Sequence, residues 1–151
     1  KTNVSYGDCL YFADKLYALT NIPFELPTES DWEYAAKGGN NTATTLYSGS
    51  NNIDSVAWYN GNSKGKKHKC NGELFANQCG IFDMSGNVSE ICNSPYYKDA
   101  HDEKLLTYKV LHGGNYTSPP EDVTIEARVP FSENEKGNEK IGFRLVIRQE
   151  K

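Results

Sequence analysis

The chain is short of sulfur and proline and has no long apolar run. It carries four cysteines, one methionine and six prolines in 151 residues. Four cysteines are too few for a disulfide scaffold, and neither a CxxC pair nor a Cys/His cluster with zinc spacing occurs, so structural zinc is not expected. No apolar stretch approaches the ~20 residues of a membrane helix and no signal peptide is read at the start, so no membrane span is expected. Basic charge is not in excess either: the formal net charge is -4. A nucleic-acid partner is therefore not expected, and the one basic run, "KGKKHK" (Lys64 to Lys69), reads as a solvated loop. P-loop, dinucleotide and Ser-His-Asp signatures are missing. Carboxylates abound, but nothing in their spacing selects a glycosidase pair.

The length fits one domain with a real core. Hydrophobic residues make up 37%, a little below the globular average, which points to a polar, loop-rich domain. The chain opens at Lys1 already inside what reads as a helix, the start expected of a fragment or a processed product. Cys70 and Cys79 bracket an Asn- and Gly-rich step, and a local bridge between them is expected in an oxidising compartment. Asn3, Asn40, Asn87 and Asn115 sit in glycosylation triplets, unsurprising by chance in an Asn-rich chain.

Ser5 to Thr20 has helical spacing, with Leu10, Tyr11, Ala13, Leu16, Tyr17 and Ala18 able to share a broad apolar face, and Pro23 is expected to stop the helix. "LPTESDWEYAAKGG" predicts a second helix: Thr28 as N-cap, Asp31 in the capping-box place, Gly38-Gly39 at the stop, and Trp32, Ala35 and Ala36 inward. Asn40 to Asn77 shows little periodicity, and a loop region that long is often functional. Strands are expected at Thr107–Tyr116, Val123–Phe131 and Ile141–Ile147. Helices first and strands last make an α+β domain with antiparallel pairing.

Between Cys79 and Cys92 the stretch "CGIFDMSGNVSEIC" sets Asp83, Gly86, Asn87 and Glu90 in one kinked segment. Two carboxylates around a sharp glycine turn suit calcium, which takes six to eight oxygen ligands. The same residues also suit an Asx-type turn without an ion.

Taken in order, "LPTESDWEYAAKGG", "VAWYNGNS", "CGIFDMSGNVSEIC", "VLHGGNY", "EAR" and "IGFRLVI" resemble the motifs of formylglycine-generating enzymes, or sulfatase-modifying factors. The resemblance runs from about Ser5 to Ile147. It implies a C-type-lectin-like fold: two helices, an antiparallel sheet and much irregular loop, one domain over 1–151 without the family's N-terminal strand region. Another chain or segment would then complete the sheet. It also implies a structural calcium ion held by Asp83, Gly86, Val88 and Glu90, with Asn87 bracing the loop. Ser89 and Ile91 stand where the family has tryptophans.

The family's oxidases bind copper through two cysteines shortly after the "GG" strand. Here that segment is "GGNYTSPPEDVTIEARVPF", without cysteine, and Ser118 falls near the first position. A hydroxyl is a poor copper(I) ligand, so the usual oxidase chemistry is not expected. Another enzyme branch carries iron-binding histidines on a separate helical domain, whereas His68, His101 and His112 are scattered. His112 stands where the family has arginine and reads as a hydrogen-bonded strand residue.

The leading expectation is a non-catalytic domain, secreted or at the cell surface, that binds a protein or glycan. Its ligand face would be the loops Asn40–Asn62 and Asn93–Lys98 and the segment Thr117–Asp122, as in the similar variable proteins of diversity-generating retroelements. Candidate contacts are Trp58, Tyr96, Tyr97, Tyr116, Thr117, Ser118, Glu121, Asp122 and Thr124; Trp58 and Tyr116 also suit loop-core anchors. Arg128 and Arg144 read as structural ion-pair partners of acids such as Glu126 and Glu139. The alternative is an oxidase acting on a peptide cysteine.

Overall fold

A four-stranded sheet carries a helix on each face. The structure, a computed structural model, describes residues 1–40, 44–70, 72–97 and 107–148. His101, Lys98 and part of the Asn40 triplet lie outside the described residues. Helix α1 (Tyr6–Thr20) starts at a capping box in which Ser5 and Asp8 satisfy each other's backbone N–H groups, and ends at Asn21 in the left-handed conformation. Strand β1 (Phe24–Glu25) leads to α2 (Glu29–Ala36), whose capping box is the expected Thr28–Asp31 pair. A 3-10 turn (Ile53–Ser55) precedes β2 (Ala57–Trp58). Strands β3 (Ser85–Gly86), β4 (Ser89–Pro95) and β5 (Tyr108–His112) follow, then a 3-10 turn (Pro120–Val123), β6 (Arg128–Ser132), β7 (Ile141–Gly142) and β8 (Val146–Ile147).

The main sheet has the order β6-β5-β4-β7. Pairing is antiparallel except between β4 and β7, which run parallel, so the sheet is mixed where an antiparallel one was expected. Two small pairings, β1 with β8 and β2 with β3, pin the periphery. Side-chain alternation sorts the core into two layers. Ile91 and Leu111 point with Phe131 toward Cys9 of α1, Val4 and Leu26. Cys92 and Val110 point with Met84 and Ile125 toward Trp32 and Ala36 of α2. Tyr47, Val56, Ala57 and Val123 form a third cluster under the loops.

Several expectations are corrected. Helix α1 buries only Cys9 and Ala13, whereas Leu10, Tyr11 and Tyr17 stand exposed together with Phe12 and Leu19. The helix meets the sheet through its narrow small-residue edge, and no described element covers the wider face. The expected strand from Val123 begins only at Arg128, because Pro119-Pro120 sets a 3-10 turn ahead of it. All four thiols are unbridged. Cys79 lies over Gly39, while Cys70 sits beside Asn87. Cys9 and Cys92 are buried in separate core layers; burial pushes the Cys9 thiol up to about 12 and raises that of Cys92 further. Among the described residues no helix is long and apolar enough to cross a membrane.

Removing the α2 cap tests this layout. Thr28→Ala deprives Asp31 of its reciprocal partner and is expected to lower stability by about 1 kcal/mol in urea unfolding. An unchanged midpoint would mean that α2 is held by packing alone.

Candidate functional site

The strand register lines up a polar row beneath α2. Glu90 of β4 is paired with His112 of β5, and His112 with Arg128 of β6. Trp32 covers the row: its indole N–H donates to Glu90 Oε2 at 2.7 Å, and its ring stacks on the His112 imidazole at 4.5 Å. One turn earlier on α2, Glu29 accepts from Arg128 Nη1 at 2.6 Å and faces His112 Nε2 at 3.4 Å. Burial lowers the His112 pKa, and Glu29 and Glu33 only partly oppose this. Arg128 also donates to the Tyr97 carbonyl and lies 4.9 Å from the Tyr96 ring centre.

At the far end of the row, Arg144 closes the loop expected to hold calcium. Its guanidinium grips Glu90 in a two-point pair, Nε to Oε2 at 2.5 Å and Nη2 to Oε1 at 2.7 Å. Nη2 further donates to the carbonyls of Phe82 and Asp83 at 3.3 and 3.4 Å. Burial works against the charge of Arg144, but Glu90 outweighs it and raises the guanidinium pKa. Burial pushes the Asp83 carboxyl up, with a Cys70 hydrogen bond and Arg144 opposing. Gly86 sits at φ 76°, and a Cβ there would fall 2.2 Å from the Trp58 carbonyl, so no other residue fits the turn.

Of the four expected calcium ligands, Asp83, Gly86, Val88 and Glu90, two are already engaged within the protein. Both Glu90 oxygens are taken by Arg144, one of them also by Trp32, and the Gly86 carbonyl accepts from the Val88 N–H. An ion reaching these oxygens would face a guanidinium at contact distance. The loop is instead cross-linked from within. Asn87, buried, accepts from the His68 N–H and donates back to its carbonyl, bracing the basic run, whose lysines remain exposed.

A groove of about 350 Å³ opens on the other face of β5, lined by Ser89, Gly114, Asn115, Ser118, Asp122 and Arg128 among others, with no cysteine in its wall. It gathers two of the expected contacts, Ser118 and Asp122, and Arg128 links it to Tyr96 and to the exposed Tyr97. Thr117 and Glu121 are exposed and Thr124 is half-buried. Tyr116 is not a surface contact: it is buried, with its hydroxyl donating to Glu139 and its carbonyl accepting from Ser63. Trp58 is half-buried and stacks on His68 at 3.7 Å, an anchor as much as a contact. The arginines are ion-paired, but to Glu29 and Glu90, distant in sequence, where Glu126 and Glu139 were expected.

Comparison with known proteins agrees with this geometry. The model of the sulfatase-modifying factor enzyme 1-like domain matches residues 1–149. Similar solved structures include variable protein 1 of Treponema denticola, with TM-score 0.86 and 23% identity over 98% of this chain and 70% of that one. CarF is similar with TM-score 0.77 and 25% identity over 99% of this chain and 67% of that one. PvdO from Pseudomonas aeruginosa gives TM-score 0.72 and 20% identity, covering 98% and 61%. Chaperone protein LppX of Paenibacillus barcinonensis is 35% identical, covering 82% of this chain and 49% of that protein. The chain thus spans about half the length of that curated relative. The fold is the α+β, C-type-lectin-like fold of these proteins.

Arg144→Met leaves Glu90 charged and unpaired in the core and is expected to cost about 3 kcal/mol in chemical unfolding. Millimolar calcium is expected to restore none of that loss. Recovery with calcium would show that the ion can take the arginine's place.

Proposed function

The chain belongs to the sulfatase-modifying factor enzyme 1-like domain family, and from that premise we propose that it is a non-catalytic domain binding a protein or glycan through its loop face. The observation that carries the reading is the wall of the groove beside Ser118. Oxidation of a peptide cysteine through copper would need soft sulfur ligands there. The groove offers hydroxyl, amide, carboxylate and guanidinium groups instead, the chemistry of hydrogen-bonded recognition. Ser118 and Asp122 line it, Thr117, Glu121 and Thr124 are their neighbours in sequence, and Tyr96 and Tyr97 contact Arg128 of its wall.

Likeness to variable protein 1 supports a surface that displays side chains, and likeness to a protein named a chaperone favours a protein partner over a glycan. Exposed carboxylates at Glu121 and Asp122 suit a partner with basic groups.

Two measurements test the reading. Panning against peptide and glycan arrays is expected to yield a binder whose affinity falls at least about tenfold in Thr117→Ala/Glu121→Ala/Asp122→Ala, with the melting temperature unchanged. Binding indifferent to that triple change would move the site elsewhere. Copper(I) titration with oxygen uptake on a cysteine-containing peptide is expected to show neither tight stoichiometric copper nor turnover. Both together would establish the oxidase instead.

A further inference from the structure

The polar row under α2 contains a side chain that the fold leaves unsatisfied. His112 has a fully buried side chain, and its Nε2 has no hydrogen-bond partner. Its tautomer follows from the other nitrogen. Nδ1 lies 3.1 Å from the Ala127 carbonyl, which can only accept, so Nδ1 carries the proton and Nε2 of the neutral ring presents a bare lone pair. That lone pair is aimed at carboxylates: Glu29 Oε1 is 3.4 Å away, and one oxygen each of Glu29 and Glu33 lies with Nε2 inside a 4.8 Å cluster. Acceptors facing acceptors in a buried setting repel unless a proton or a cation lies between them.

We propose that Glu29, Glu33 and His112 form a binding site for a borderline divalent cation of the zinc class. Imidazole with carboxylate is a donor set such ions take, and three protein ligands leave a fourth position open. Metal bonds of about 2.0–2.2 Å at tetrahedral angles place neighbouring ligand atoms about 3.3–3.5 Å apart. The His112–Glu29 separation of 3.4 Å already has that value. Glu29 and Glu33 stand four residues apart on one face of α2, so the helix presents both carboxylates to β5 together.

The surroundings are those of a supported ligand set. Ala127 fixes the imidazole tautomer and Trp32 stacks on the ring, while Arg128 donates to the same Glu29 Oε1 that faces His112, a contact the ion would share or displace. Lys37 pairs with Glu33 on the exposed side and would give way to the ion. Both glutamates are half-buried, so the fourth position faces water. The site shares Arg128 with the groove of the loop face but does not depend on the binding reading.

The test uses the full chain, stripped of metal by a chelator and dialysed. Titration with Co²⁺ is expected to give a visible spectrum saturating at one equivalent. Zn²⁺ is expected to displace it and to raise the melting temperature, since an ion that binds only the native state stabilises it. Glu33→Gln, on the half-exposed helix face, is expected to fold and to weaken Co²⁺ binding at least about tenfold. Cys70→Ser/Cys79→Ser is expected to bind as the parent does. Absence of saturable binding, binding that Glu33→Gln leaves intact, or binding lost with the two cysteines would each overturn the site. His112→Gln, where it folds, is expected to abolish Co²⁺ binding; where it does not, Glu33→Gln decides.

Discussion

Glu90 is a carboxylate in the middle of a sheet, and it cannot be left unpaired there. An uncompensated charge at that depth costs several kcal/mol, and the remedy fixes much of the architecture. Arg144 neutralises Glu90 from the segment between β7 and β8, and Trp32 spends its indole N–H on it from α2. Three stretches distant in sequence therefore meet at one side chain. The parallel pairing of β7 with β4 brings Gly142, and so Arg144, to the Glu90 register. The kinked loop before β4 is held by the same guanidinium through the carbonyls of Phe82 and Asp83.

This internal pairing has a functional corollary. The loop is locked by an arginine and by the two-way clamp of Asn87 on His68. Rigidity on that side leaves the other loops, around Ser118 and Tyr97, as a surface displayed from a stiff frame. Loops placed by a rigid scaffold are where recognition residues are usually found. The groove there mixes polar and apolar walls without sulfur, so what the frame presents includes hydrogen-bonding groups and charge.

Local signals were legible and distant pairings were not. Thr28 and Asp31 announced α2 because a capping box is written in four consecutive residues, and Gly86 announced a turn that only glycine fits. Ser118 marked the groove because its motif neighbours are contiguous. Arg144 could be read as ion-paired, but its true partner is 54 positions away and a nearer acid looked more natural. Glu29, Glu33 and His112 escaped notice for the same reason: the two glutamates resemble any exposed helix pair until β5 is folded beneath them. The exposed face of α1 was missed because amphipathic spacing says which residues share a side, not whether a layer lies against it. Tyr116 looked displayable from its place after the glycines, and the chain turned it inward to Glu139.

The claim underlying all of this is that Glu90 and Arg144 act as one unit. A double-mutant cycle with Glu90→Gln, Arg144→Met and the combination, followed by urea unfolding, measures it directly. The account predicts strongly non-additive losses, with a coupling of about 2 kcal/mol and a double variant less damaged than the sum of its parts. Additivity within about 0.5 kcal/mol would contradict it and leave the loop held by something other than this pair.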